Sequence, residues 1–302
     1  MTLKNGVLLG SSGLAGSGIA KQLSKKGIEF HNPSRNQLNL LNESSVEEYF
    51  SIKQPEFVVI AAGVVGGIDQ NINRQAHFLV NNFEISKNIL QAAFTVKVPN
   101  LVMITSSCIY PVSASMPLKE FDFYHGAPEP TNSGHAIGKK AACWMLEHLK
   151  EKTDLNWTSL ISSSLYGLED DFTGNGHVIP GLINRFLTAL RMNSDIEPIW
   201  GQPTTAREFL FNEDLGSAVI QVLNLENRPT LINVGSGETL TLLELAEEIA
   251  EIMGYKGKIT FDASKPSGWP IREVDSTFIK KSGWIPSTPI NKGLRLVVAS
   301  KI

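Results

Sequence analysis

A glycine-rich turn between an apolar run and a helical pattern constrains the fold of this chain more than any other feature. Gly10, Gly13 and Gly16 have GxxGxxG spacing, and helical spacing runs from Leu14 to Lys25. In this context glycines allow a tight turn, close approach of the backbone to a pyrophosphate, and close packing of helix on strand. Free N–H groups at the helix start would receive the phosphates. The pattern predicts a dinucleotide site with contacts from Gly10, Ser12, Gly13, Leu14, Ala15 and Gly16.

The segment after the second expected strand distinguishes NAD from NADP. An NAD site usually carries Asp or Glu about 20 residues beyond the glycines, where it binds the ribose 2′-hydroxyl. Residues 31–36 of this chain contain no acid and one arginine, Arg35. Because a guanidinium pairs well with a phosphate, we expect NADP(H) as the cofactor, with Arg35 on the 2′-phosphate. A solvated surface arginine is the alternative interpretation of Arg35.

Apolar runs and helical patterns alternate through the first half of the chain. Such runs are typical of parallel strands covered on both faces, joined by right-handed crossovers. We therefore predict an α/β fold with a Rossmann-type, doubly wound parallel sheet. The expected strands are Gly6–Gly10, Glu29–Asn32, Pro55–Ala62, Leu101–Ser106 and Thr158–Ser162, and the expected helices are Leu14–Lys25, Asn73–Phe94 and His135–Lys150.

The second half of the chain is less regular. A strand is expected at Leu231–Val234, helices at Gly181–Arg191 and Leu242–Ile252, and short strands at Glu197–Gly201 and Ile259–Asp262. We interpret this half as a smaller α/β substrate-binding region whose segments interleave with the main sheet. The expected division assigns 1–165 to the NADP-binding Rossmann domain, with 202–255 partly returning to it, and 166–201 with 256–302 to the substrate-binding region.

Composition limits the classes of partner. A formal net charge of -3 over 302 residues leaves no broad basic face for nucleic acid or a membrane surface. No apolar run approaches the roughly 18 residues of a membrane span. Cys108 and Cys143 do not suggest a disulfide framework. We expect a cytoplasmic protein with no nucleic-acid partner, no membrane segment and no metal site.

Several later segments carry polar residues where ligands of such sheets bind. Ser106 and Cys108 lie in TSSCIYP, and HAIGK, HVIP, WG and REF follow in that order. Together with the glycine turn, this order resembles the GDP-L-fucose synthase family, NADPH-dependent epimerase/reductases of the extended short-chain dehydrogenase/reductase superfamily. The resemblance covers nearly the whole chain.

The resemblance implies a reaction on a GDP-4-keto-6-deoxy-hexose, with epimerisation at C3 and C5 followed by reduction of the C4 ketone. It implies that Cys108 removes the protons α to the ketone and that His177 returns protons on the other face. A thiol and an imidazole can both be tuned towards neutral pH. Ser106 would hold the ketone and Lys139 the nicotinamide ribose. The further expected cofactor contacts are Ala61, Ala62, Lys139 and His177.

One residue departs from the family pattern at the reduction step. Where the superfamily has a tyrosine that protonates the new alkoxide, four residues before the lysine, this chain has His135. Three interpretations are open. His135 replaces the tyrosine as the acid, directly or through water. Alternatively, the protein only epimerises or acts on an altered substrate, or it is a catalytically silent cofactor-binding member. We favour retained activity because Ser106, Cys108, Lys139 and His177 are all present.

The resemblance also implies residues at the substrate nucleotide and an oligomeric state. Guanidinium groups match a diphosphate, and an indole can stack on a sugar or base. The expected substrate contacts are Arg185, Trp200, Arg207 and Arg272; a solvated helix face is the alternative for Arg185. The nucleotide carrier stays open. A homodimer is expected through the helices 73–94 and 135–150.

Overall fold

Most of the chain folds as alternating strands and helices in the computed structural model, which describes residues 4–151, 153–173, 177–265 and 268–301, the side chains at 68 and 69 excepted. In these ranges the strands are β1 (Gly6–Leu9), β2 (Phe30–His31), β3 (Phe57–Ile60), β4 (Asn100–Ser106), β5 (Asn156–Ser162), β6 (Ser164–Tyr166), β7 (Ile199–Trp200), β8 (Ala206–Phe211), β9 (Leu231–Val234), β10 (Thr239–Thr241), β11 (Phe261–Asp262) and β12 (Ile271–Arg272). The helices are α1 (Leu14–Lys25), α2 (Glu43–Lys53), α3 (Ile68–Asn73), α4 (Gln75–Thr95), α5 (Ser133–Lys150), α6 (Val178–Met192), α7 (Asn212–Leu223), α8 (Leu242–Met253), α9 (Thr277–Lys281) and α10 (Ile290–Ala299).

The main sheet has six parallel strands in the order β2-β1-β3-β4-β5-β9. The order reverses between β1 and β3, because the chain adds β2 on one side of β1 and β3 on the other. Ligands of doubly wound sheets bind at such a switch point, beyond the carboxyl ends of the strands. The predicted fold class is confirmed.

The central strands are buried on both faces, which explains their uninterrupted apolar sequences. Val58 and Ile60 of β3 enter the core under α2, α4 and α5, whereas Phe57 and Val59 enter the opposite core under α1, α7 and α9. Successive side chains of a strand point to opposite faces, so both sets must be apolar. These two layers hold the carboxyl edge of the sheet in place.

A second, smaller unit surrounds β8. This strand pairs with β10, β12 and β6, while β7 pairs with β11 in a separate two-stranded sheet. A third core lies among α6, α8 and α10 and includes Ile183, Leu245 and Leu294. Within 202–255, helix α7 and strand β9 join the main sheet, whereas α8 belongs to the third core.

Helices α2 and α7 and the β8 sheet were not predicted from the sequence. No helix among the residues that the structure describes is long and apolar enough to cross a membrane. Within the same ranges, no group of three or more His, Cys, Asp or Glu side chains is arranged to hold a metal ion.

Candidate active site

The glycine turn after β1 has the tight geometry that its sequence suggests. Gly10 has a φ of 88°, and a Cβ there would lie 2.6 Å from the backbone nitrogen of Ala62. A Cβ at Gly16 would collide with the Gly10 carbonyl. A Cβ at Gly13 would meet only the Gly10 carbonyl oxygen, at 3.6 Å. Gly10 and Gly16 are therefore required by packing, whereas Gly13 leaves open space above the turn.

A cleft of about 460 Å³ opens beside this turn. Its wall includes Gly13, Leu14 and Ala15 at the start of α1, and Ala61 and Ala62 after β3. The N-cap residue of α1 is Gly13, which has no side chain to cap the helix, so the first backbone N–H groups of α1 are available to an anion. The open space at Gly13 and these donors fit the pyrophosphate of a dinucleotide.

Four predicted cofactor contacts lie outside the wall of this cleft. Ser12 is exposed on the turn, and Arg35 is exposed in the loop after β2. Gly10 and Gly16 shape the turn from behind and do not line the cleft either. The phosphate contact of Arg35 therefore stays a prediction.

Lys139 lies at the floor of the cleft, on α5. It is 5% exposed, and its Nζ donates a hydrogen bond to the Ala62 carbonyl at 3.1 Å. Burial lowers the pKa of Lys139 to about 8, although the neighbouring Cys143 and Cys108 act in the opposite direction. The ammonium is thus anchored beside the loop that follows β3.

His135 lies one helical turn before Lys139 and lines the same cleft. Its Nδ1 is 3.2 Å from the Val64 carbonyl oxygen and 3.4 Å from Nδ2 of Asn82. Asn82 already donates through Nδ2 to the Val64 carbonyl at 2.9 Å and to the Phe78 carbonyl at 2.8 Å. Both amide hydrogens are engaged, so the Val64 carbonyl selects the tautomer that carries its proton on Nδ1.

This environment also disfavours the charged form of His135. Burial and the Lys139 ammonium lower its pKa to about 4, and His177 adds a smaller effect in the same direction. At neutral pH the ring is uncharged, with its proton on Nδ1 and a lone pair on Nε2. His135 in this state is an acceptor at Nε2, which is not what an acid for a new alkoxide requires.

Cys108 follows β4 in the short helical turn Ser107–Ile109 and is buried. Burial raises the pKa of its thiol above the usual value. Arg272, a hydrogen bond with Ser106 and the charge of Lys139 favour the thiolate and partly offset burial. A base role for Cys108 therefore depends on these cations.

His177 lies at the N-cap of α6, and its Nδ1 is 2.8 Å from Oδ1 of Asp170. This hydrogen bond raises the pKa of His177, although partial desolvation acts in the opposite direction. Sequence analysis missed Asp170, since a lone acid in a loop carries no periodic signal. It also missed Asn82, whose engaged amide hydrogens leave the Val64 carbonyl to select the tautomer of His135.

A second cavity of about 690 Å³ adjoins the cleft. Cys108, His177, Arg207 and Arg272 line both spaces, so they lie at the junction. Burial lowers the pKa of Arg207 to about 9, and Arg272 also lowers it. Arg272 donates from Nη2 to Ser164 at 3.4 Å, and its buried Nε has no hydrogen-bond partner among the described residues. These guanidinium groups suit an anionic ligand.

The remaining predicted substrate residues line only the second cavity. Arg185 donates to the backbone carbonyls of Glu197 and Pro198 at 3.3 and 3.2 Å. Trp200 is half-exposed, and the Lys265 ammonium lies 5.2 Å from its ring centroid. The structure thus brings together Ser106, Cys108, His135, Lys139, His177, Arg207 and Arg272 at the cleft, and adds Arg185 and Trp200 in the adjoining cavity.

Comparison with known proteins identifies the family to which the chain belongs. A family model described as "NAD dependent epimerase/dehydratase family" matches residues 7–235. The GDP-L-fucose synthase of Escherichia coli (strain K12) is 38% identical over 298 residues, covering 95% of this chain and 93% of that protein. The GDP-L-colitose synthase of Yersinia pseudotuberculosis is 34% identical over 291 residues, covering 95% of this chain and 94% of that protein.

A solved structure shares the whole architecture. MlghC, a GDP-mannoheptose C4 reductase from Campylobacter jejuni with NADP bound, superposes with a TM-score of 0.88 at 26% identity. The superposition covers 99% of this chain and 98% of that one. The chain therefore belongs to the NAD dependent epimerase/dehydratase family and, within it, to the GDP-L-fucose synthase family.

Proposed function

We propose that this protein is an NADPH-dependent nucleotide-sugar 3,5-epimerase/4-ketoreductase that acts on a GDP-4-keto-6-deoxy-hexose. The observation that carries the proposal is the junction of the two cavities, where Cys108 and His177 can reach a ligand in either space. Ser106 and Lys139 line the cofactor side of that junction. The similarity to GDP-L-fucose and GDP-L-colitose synthases supports the GDP-sugar class.

The cofactor is NADP(H), held in the smaller cleft. The start of α1 and the open space at Gly13 would hold the pyrophosphate, and Lys139 would hold the nicotinamide ribose. Arg35 remains our candidate for the 2′-phosphate, because residues 31–36 contain no acid. When bound, the reduced nicotinamide supplies the hydride for C4.

Epimerisation needs a base and an acid on opposite faces of the sugar, together with stabilisation of the enolate. Cys108 as thiolate takes the proton α to the ketone, and His177 returns one. Ser106 holds the ketone oxygen, where negative charge develops. Cations at the junction favour the thiolate, and the carboxylate of Asp170 favours the imidazolium.

The larger cavity holds the nucleotide part of the substrate. Arg207 and Arg272 supply two guanidinium groups for a diphosphate, and Arg185 stands further along the same wall. Trp200 offers an exposed indole face for a base or sugar.

The direct test is incubation with GDP-4-keto-6-deoxy-mannose and NADPH in deuterated water. We expect deuterium at C3 and C5, measured by NMR, and consumption of one NADPH per product, measured by absorbance. Deuterium uptake without NADPH oxidation would restrict the protein to epimerisation. The absence of both signals would exclude this substrate.

Assembly, location and domain division are further parts of the proposal. Helices α4 and α5 pack together and leave Val80, Ile137 and Trp144 about half-exposed, which supports a homodimer through this face. Light scattering at micromolar concentration tests it, and a monomer would exclude it. We also propose a cytoplasmic location, and we retain 1–165 as the NADP-binding domain.

A further inference from the structure

Asp170 is a buried carboxylate placed directly against His177. Its side chain is 3% exposed, and Oδ1 accepts hydrogen bonds from Nδ1 of His177 and from the backbone N–H of Asp171, both at 2.8 Å. Oδ2 is shielded from solvent and has no hydrogen-bond partner in the described part of the chain. A buried carboxylate without a full set of donors is costly unless a neighbouring positive charge compensates it. His177 is the titratable group in contact with it.

This contact fixes the state of the imidazole. An ionised carboxylate only accepts hydrogen bonds, so the proton of the contact belongs to Nδ1 of His177 and any second proton must be on Nε2. The His177 side chain is 49% exposed and lines both cavities, so Nε2 can exchange protons with water. Asp171 also favours the charged ring, whereas Arg272 disfavours it.

We propose that Asp170 is a positioning residue that orients His177 and keeps it in the protonated form, so that His177 is the proton donor of the epimerisation. The proposal rests on the proposed function. It also separates the two histidines of the site, because His135 contacts a backbone carbonyl and experiences the charge of Lys139, whereas His177 contacts a carboxylate.

The proton transfers balance without another reactant. Sγ of Cys108 takes the proton as the sugar C–H bond breaks, and the electron pair moves onto the ketone oxygen. The Nε2–H bond of His177 then breaks, and its electron pair stays on nitrogen. The electron pair of the enolate returns from oxygen to carbon, which re-forms the ketone and makes the new C–H bond on the opposite face. Water reprotonates His177 and accepts the proton from Cys108. In deuterated water the new bond therefore carries deuterium.

The first experiment follows the His177 imidazole by NMR in protein labelled with ¹⁵N-histidine and needs no substrate. We expect Asp170→Asn to lower the pKa of His177 by about one to three units, the range for loss of an adjacent opposite charge. Asp171→Asn is the matched control, because among the described residues the Asp171 carboxylate bonds to Thr173 alone, and it is exposed. Its effect should be distinctly smaller. Asp170→Glu retains the charge and should keep the pKa of His177 close to its wild-type value.

The second experiment measures deuterium uptake at C3 and C5 against pH. Wild-type uptake should decline as pH rises through the pKa of His177, and this decline should move to lower pH by the same interval in Asp170→Asn. A merely structural role of Asp170 would lower the rate at every pH and leave the profile in place.

The outcomes separate the two proposals. An unchanged pKa of His177 in Asp170→Asn, or an equal shift in Asp171→Asn, overturns the role of Asp170. If the wild type takes up no deuterium, the proposed function fails, while the NMR titration still decides whether Asp170 controls His177. Should Asp170→Asn not fold, Asp170→Ser removes the same charge with a smaller side chain and carries the same test.

Discussion

Replacement of His135 by tyrosine tests how the ketone is reduced. The imidazole donates from Nδ1 to the Val64 carbonyl and has a pKa of about 4, so it holds no proton for the new alkoxide at neutral pH. A phenol has its own proton at this pH, because its ordinary pKa is about 10. His135 borders open cleft space, so a longer ring can be accommodated. We expect His135→Tyr to accelerate NADPH-dependent reduction.

The pKa of His135 sets the size of the effect. A pKa of about 4 leaves about one ring in a thousand charged at pH 7, against about one in four for an ordinary histidine. The free energy needed to protonate His135 therefore exceeds that of an ordinary histidine by about 3 kcal/mol. If the imidazolium is the acid of the wild type, the tyrosine variant should therefore be faster at pH 7 on the order of a hundredfold.

The assay is single-turnover NADPH oxidation with the 4-keto sugar between pH 5 and pH 8. Because the charged fraction of His135 increases as pH falls towards its pKa, wild-type reduction should accelerate roughly tenfold per pH unit. The tyrosine variant should show little of this dependence, and His135→Phe, which has no donor, should lose the acceleration at low pH. A tyrosine variant slower than wild type at pH 7 would refute the reasoning and identify the imidazole as an adapted acid.

Four other substitutions test the cofactor site and the base. Gly13→Val should raise the Kd for NADPH at least about tenfold with little loss of thermal stability, since the valine side chain enters open cleft space. Gly16→Ala should instead destabilise the fold, because the new Cβ collides with Gly10. Arg35→Asp should reduce the NADPH-over-NADH preference by about ten- to a hundredfold, and an unchanged preference in paired binding titrations would remove Arg35 from the site. Cys108→Ser should lower deuterium uptake at C3 and C5 by about 10²–10⁴ with NADPH binding intact, and retained uptake would exclude Cys108 as the base. Because burial raises the pKa of the thiol, wild-type uptake should increase with pH until loss of the His177 proton limits it.

The main sheet was predictable because its central strands are buried on both faces. A strand such as β3, whose four residues are all fully buried, must be apolar at every position, and that pattern is visible without a structure. Helix α2 gave no such pattern, since only Val46 and Phe50 are buried. Its N-cap, Asn42, which accepts from the Ser45 N–H, was the one local signal available. Strand β8 and helix α7 depend on partners far along the chain, which local periodicity does not encode.

The candidate site was predictable as a set of residues and not as a set of protonation states. Cys108, Lys139 and His177 came from motifs in a recognisable order. The tautomer of His135 depends on Val64 and Asn82, which are 71 and 53 residues away along the chain. Such a contact has no signature in spacing. The same holds for Asp170, whose importance depends on its burial against His177.

The two histidines show why these contacts decide the chemistry. Both rings start from the same ordinary pKa of about 6.5, yet Lys139 and burial lower one, and Asp170 raises the other. Between pH 4 and the pKa of His177, the site therefore holds one neutral and one charged imidazole. In this pH range His177 can donate a proton to the sugar carbon, whereas His135 has no proton to donate to the ketone oxygen. Epimerisation and reduction should consequently respond to pH as two separate profiles, and a single shared profile in the two assays would contradict this assignment.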